Sequence, residues 1–192
     1  MVKEFRGVAD LVYAKVLSDS DSGITFGEVK PLAGVARISK EVETSSETHY
    51  YDNKPAVIIQ GTGADTITIE ASAIEASVLA DITGQVYDAA KKMLIEGELE
   101  QSYFAIGYKT KETDGSEKYV WRYKGTFAVP NEEHATENDG TDANGQELVY
   151  TGIMTTAKFG SAQKSAKGIV IDKTTAAVDF FDEVKTPENA TD

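Results

Sequence analysis

Two short alternations of large apolar residues constrain this chain most. Phe104, Ile106 and Tyr108 recur at every second position, and so do Tyr119, Trp121 and Tyr123. A period of two puts every second side chain on the same side of an extended strand. Between the runs, Lys111-Glu112-Thr113-Asp114-Gly115-Ser116 contains an Asp-Gly step, which supplies the positive φ of a tight turn. The segment predicts a β-hairpin whose aromatic residues face each other across the pair, each pair contributing about 0.2–1 kcal/mol. Trp121, the single tryptophan, is expected in the core.

The rest of the chain follows the same pattern of short apolar runs between polar turns. Residues 6–17, with Val8, Leu11, Val12, Tyr13, Val16 and Leu17, suit a strand with an irregularity. Residues 18–23 have turn chemistry, and 25–37, broken by Gly27, Pro31 and Gly34, read as short extended pieces. Residues 66–70 alternate as a strand; further strands are expected at 147–155 and 168–172, with a last strand or arm near 177–184 and a flexible tail over 185–192. One helix is expected over 73–83. Ser72 and Glu75 have the spacing of a capping box, Ile74, Val78, Leu79 and Ile82 form one stripe, and Gly84 is placed to end it. A lone amphipathic helix among strands lies across a sheet or closes one end of a sandwich.

Residues 39–63 stand apart. They are rich in Ser, Thr and Glu, with Tyr50-Tyr51-Asp52-Asn53-Lys54-Pro55 at the centre and few apolar residues before it. Such a stretch cannot bury itself and reads as a long loop leaving the core; loops of that length are usually functional or ordered by a partner. The plain alternative is a solvated hairpin without a role.

Composition narrows the function. At 192 residues with 41% hydrophobic content the chain fits one domain with a real core. Nineteen Lys and Arg against 32 Asp and Glu leave a net charge of −13, which disfavours adhesion to nucleic acid or anionic membranes. Zero cysteines exclude disulfides, a thiolate nucleophile and thiolate metal sites. The opening Met1-Val2-Lys3-Glu4-Phe5-Arg6 runs into mixed sequence, which argues against a signal peptide, and no run approaches the roughly 20 apolar residues of a membrane span.

The motifs that invite chemistry fail on spacing. Asp139, Asp142 and Asn144 are oxygen ligands in the acidic loop 132–146, but the twelfth position from Asp139 is Tyr150, not the Glu of an EF-hand. Gly61-Thr62-Gly63 lacks a third glycine and a following helix, so it reads as a turn rather than a phosphate cradle. His49 and His134, the two histidines, sit in polar sequence without a Gly-x-Ser-x-Gly elbow. No catalytic, cofactor-binding or metal residue is assigned. Lys158, Lys164 and Lys167 form the one basic run, read as a contact surface for an acidic neighbour such as loop 132–142 of another copy.

Several segments resemble the major tail proteins of long-tailed phages of Gram-positive bacteria, in particular the phi13-type family. These are Gly7-Val8-Ala9-Asp10-Leu11-Val12-Tyr13-Ala14, the stretch from Gly23-Ile24-Thr25-Phe26 through Pro31-Leu32-Ala33-Gly34, and Ala80-Asp81-Ile82-Thr83-Gly84. The most specific block is Tyr103-Phe104-Ala105-Ile106-Gly107-Tyr108 followed by Tyr119-Val120-Trp121-Arg122-Tyr123-Lys124-Gly125-Thr126-Phe127 and Pro130. The resemblance covers about residues 5–135, and the order and spacing of the set carry it.

That resemblance implies a mainly β, sandwich- or barrel-like tail-tube fold over residues 1–184 with one flanking helix and an inter-ring loop. Six copies would close a ring, and stacked rings would form a conduit for DNA, a passenger rather than a ligand. It also implies a place in the virion tail after assembly in the bacterial cytoplasm. The implied partners are further copies and the tail terminator, tape measure and distal tail proteins, with no membrane. Inter-subunit contact is expected from Glu43, Glu47, His49, Tyr50, Tyr51, Asp52 and Lys54 in the loop, and from Lys158, Lys164 and Lys167. Other readings are the inner tube of a contractile or secretion-like device and a small carbohydrate- or receptor-binding β-sandwich.

Overall fold

The computed structural model describes residues 2–134, 144–172 and 179–190. Its strands are β1 (Phe5–Ser20), β2 (Gly23–Phe26), β3 (Lys30–Pro31), β4 (Val35–Tyr51) and β5 (Lys54–Ala71). After the helix α1 (Ala76–Thr83) come β6 (Val86–Asp88), β7 (Met93–Ile95), β8 (Phe104–Glu112), β9 (Glu117–Phe127) and β10 (Gln146–Gly152). The short β11 (Lys158–Phe159) and β12 (Lys164–Ser165) precede β13 (Gly168–Asp172). The described residues are mainly β with one short helix, as the patterning predicts.

One antiparallel sheet runs in the order β2-β1-β8-β9-β10-β5-β4, with β3 also on β1 and β13 also on β9. Strand β9 carries two neighbours along one edge: β13 pairs residues 118–122 and β10 pairs residues 125–127. β1 is irregular as expected, bending where Gly7 and Asp10 take positive φ (93° and 56°) and the register to β8 slips.

The β8–β9 hairpin forms where the alternation places it, but its two aromatic sets do not face each other. Trp121 pairs with Gly107 and Tyr108 with Val120, so the sets point to opposite sides of the sheet. Phe104, Ile106 and Tyr108 join Leu11, Tyr13, Ile67, Ile69, Leu148 and Tyr150 in a core closed by Leu79 and Ile82 of α1. Trp121 and Tyr123 join Ala14, Ala105, Phe159, Phe180 and Val184 in a second core. A sheet with apolar residues on both faces needs two covers: the helix is one, and the C-terminal chain is the other.

The helix begins later than the capping box implies. Ser72 Oγ accepts the Gly34 N–H at 3.1 Å, and Ile74 N–H donates to Gln146 Oε1 at 2.7 Å. With both groups engaged elsewhere, the first turn starts at Glu75, whose carbonyl accepts from Val78 and Leu79; no side chain caps it. Gly84 ends the helix at φ 75°, its N–H on the Ala80 carbonyl.

At the C-terminal end, residues 179–184 are turns rather than a strand, and 185–190 are not a frayed tail. Phe180 and Val184 are buried. Thr186 N–H donates to Asn189 Oδ1 at 2.6 Å, and Ala190 N–H to the Thr186 carbonyl. Trp121 Nε1–H donates to the Phe180 carbonyl at 3.1 Å, which fastens this segment to the sheet. Positions 177 and 178 lie outside the described residues.

Candidate functional site

Residues 39–63 do leave the core, but as ordered hairpin rather than loop. β4 and β5 pair from Val35↔Ala71 to Tyr51↔Lys54. The ribbon closes through Asp52 and Asn53, both at positive φ (50° and 62°), the combination a two-residue type I′ turn requires. Gly61-Thr62-Gly63 is accordingly part of β5, not a turn. From Val42 to Tyr51 the arm extends about 30 Å at roughly 3.3 Å per residue, and every residue from 41 to 63 except His49 is exposed.

Neither face of the arm alternates cleanly. One carries Thr44, Ser46 and Thr48 opposite Thr62, Gln60 and Ile58; the other carries Ser45, Glu47 and His49 opposite Gly61, Ile59 and Val57. The apolar residues cluster toward the tip, with Ile58, Tyr50 and Tyr51 63–65% exposed. His49 Nε2 lies 3.8 Å from Glu47 Oε1. The signal for the arm was the Asp-Asn step between β-branched and aromatic residues, a weaker cue than Asp-Gly because both side chains resist positive φ more than glycine does.

The arm is anchored where it meets the sheet. Asp65, its side chain 4% exposed, receives Lys167 Nζ at 2.5 Å and has Lys40 Nζ at 3.5 Å. Lys167 also donates to the Gly63 carbonyl at 2.6 Å. At this level Gly63 and Ala64 stand against the single residue Glu43, a bulge at which the Glu43 side chain lies over Gly63 and would have to move for a Cβ there.

The basic run is therefore not one free surface. Lys167 is spent inside the chain, Lys158 lies 3.4 Å from Asp21 Oδ1, and Lys164 is exposed. Its proposed acidic counterpart, loop 132–142, falls outside the described residues from 135 on, as do the candidate calcium ligands Asp139 and Asp142. Among the described residues, Glu132 accepts Gln146 Nε2 at 2.6 Å and lies 3.4 Å from His134 Nε2. No group of three or more His, Asp or Glu side chains among them is placed to hold a metal. No described helix is long and apolar enough to cross a membrane.

Beside the arm's root, between β1, β4, β8, β9 and β13, lies an open cleft of about 520 Å³. Phe5, Val8, Ile38, Tyr108 and Val120 give it apolar walls, and Lys40, Lys118 and Arg122 bring three cations to it. Lys118 Nζ sits between Glu112 and Asp172, 3.2 Å from each. Sequence reasoning passed over this site because its residues come from five strands and share no motif.

Two further polar nodes are structural. Asp81 on α1 accepts Tyr13 Oη–H at 2.8 Å and Lys30 Nζ at 2.9 Å, tying the helix to β1 and β3. Asp19 accepts Lys124 Nζ at 2.6 Å and the N–H groups of Thr156 and Ala157. Burial pushes the Asp19 carboxyl up, but the Lys124 hydrogen bond and the two backbone donors outweigh it and hold the group below the usual carboxylate range.

A scan of protein-family profiles finds no match to this chain, and a search of curated proteins finds none either.

Proposed function

We propose that this chain is a self-assembling structural subunit, the tail-tube protein of a long-tailed phage, working in the virion without catalysis or cofactor. Six copies close a ring and rings stack into a conduit for DNA. The arm carries the reading. A two-stranded ribbon is marginally stable alone in water, and this one holds Tyr50, Tyr51, Val57, Ile58 and Ile59 in solvent. A second protein surface covering it removes that apolar area from water. The sheet also ends in open edges that suit head-to-tail pairing between copies. The charge of −13 fits a passenger role for DNA, because a wall that repels phosphates lets a polyanion slide.

Negative-stain microscopy of concentrated recombinant protein tests this directly. Rings or hollow tubes are expected; dispersed monomers at every concentration and salt level overturn it. The tyrosine pair at the arm tip favours a second reading, a carbohydrate- or receptor-binding module, since exposed aromatic faces stack on sugars. Monomers that bind a glycan array through Tyr50 and Tyr51 are its signature.

A further inference from the structure

Among the described residues, none that lines the cleft at the arm's root is a carboxylate, and Glu112 and Asp172 at its edge are taken up by Lys118. Lys40 and Lys118 each have an acidic partner, whereas Arg122 makes no ion pair among the described residues and its Nε is buried without a hydrogen-bond partner. A guanidinium that lines a largely apolar cleft without a counter-charge favours an arriving acceptor, because a charge poorly served by water gains from being paired. The missing group is an acceptor that arrives with apolar or aromatic surface, because the walls around Arg122 are Val8, Ile38, Tyr108 and Val120, with Phe5 75% exposed at the rim.

This chain carries such a group. At the arm tip Asp52, in the turn at positive φ, has no ion pair or hydrogen bond among the described residues, and the exposed Tyr50 and Tyr51 immediately precede it. The chain cannot bring its own tip to its own cleft. Lys40 in the cleft wall and Tyr51 at the tip are on one continuous strand, about 35 Å apart at roughly 3.3 Å per residue. Tip and cleft can meet only between copies.

We propose that the cleft is the socket for the arm tip of a second copy, with Tyr50 and Tyr51 against the apolar walls and Asp52 on the Arg122 guanidinium. This rests on the assembly reading above and names the receiving surface within it. Because tip and socket are different patches of one chain, each copy that receives an arm also offers one. The contact propagates, as a ring or stacked array requires.

Charge exchange tests the pair. Arg122→Glu and Asp52→Arg alone should each raise the concentration needed for assembly at least tenfold by sedimentation velocity, and the double variant should recover most of that loss. Near-ultraviolet circular dichroism of each variant establishes that it is folded. Because the chain lacks cysteine, a second measurement is clean: Lys54→Cys chains mixed with Phe5→Cys chains should form a mixed disulfide under mild oxidation. Tubes that form normally in both charge variants, with no mixed disulfide, overturn the socket and leave the tube reading standing. A mixed disulfide without tubes keeps the socket and overturns the tube.

Discussion

Trp121 lies directly across the β8–β9 ladder from Gly107, and the missing side chain of Gly107 is the space the indole occupies. A Cβ at position 107 would meet three ring atoms of Trp121 at 2.9 Å each. Both residues sit in a wall between two cores, so neither can retreat. Gly107→Ala should destabilise the protein by about 1–3 kcal/mol, the usual range for overpacking. Urea unfolding followed by the single tryptophan's fluorescence measures it, and an unchanged midpoint contradicts the packing described.

Phe180 covers the far side of that indole, 6.2 Å away ring to ring, and its carbonyl holds the indole N–H. Phe180→Ala should cost about 3–5 kcal/mol, as for a large aromatic lost from a core. Ending the chain after residue 178 should expose Trp121 and shift its emission to longer wavelength.

The Lys167–Asp65 pair is nearly buried, while Lys164 faces solvent. Lys167→Ala leaves a buried carboxylate with Lys40 as its more distant partner and should destabilise by about 3 kcal/mol; Lys164→Ala should change stability by less than about 0.5 kcal/mol. Thermal unfolding of the two variants side by side separates an anchoring lysine from a surface one.

Asp19 makes the fold acid-sensitive. Its carboxyl is held below its unfolded value, near 3.9 for a free aspartate, so its contribution is complete above that value. It is lost as pH falls through the lower folded pKa. Stability should decline below about pH 4, and Asp19→Asn should flatten that part of the profile while lowering stability at neutral pH. A denaturation series from pH 3 to pH 7 checks both signs.

Replacing residues 43–63 with an Asn-Gly turn joins Val42 to Ala64 beyond the last core-facing pair. The shortened protein should stay folded, with its unfolding midpoint nearly unchanged, and should fail to assemble. Tubes from this variant rule out the arm as the assembling element.

Much of this was legible in the sequence, and the gaps have physical reasons. Period two in Phe104, Ile106 and Tyr108 and in Tyr119, Trp121 and Tyr123 gave both strands. It could not give their facing, which depends on which residue sits opposite Gly107. Gly84 marked the helix end because few other residues tolerate its φ. The start was misread because Ser72 has a competing partner, the Gly34 N–H, 38 positions away. The arm lacked a strand signal because both of its faces are wet, and alternation records a dry side. The Arg122 cleft left no trace in the sequence, being assembled from residues 5 to 170.

β5 is one strand with two employments: its first half forms the arm, and its second half is stitched into the sheet. Seven residues of that second half, 65–71, pair one for one with 146–152 of β10. A pull along the arm therefore loads those pairs side by side, and they must yield together instead of opening one after another like a zip. Lys167 adds a rivet at the junction. Force applied at the tip reaches the body of the protein across this ladder in shear, the direction in which a set of paired strands resists most.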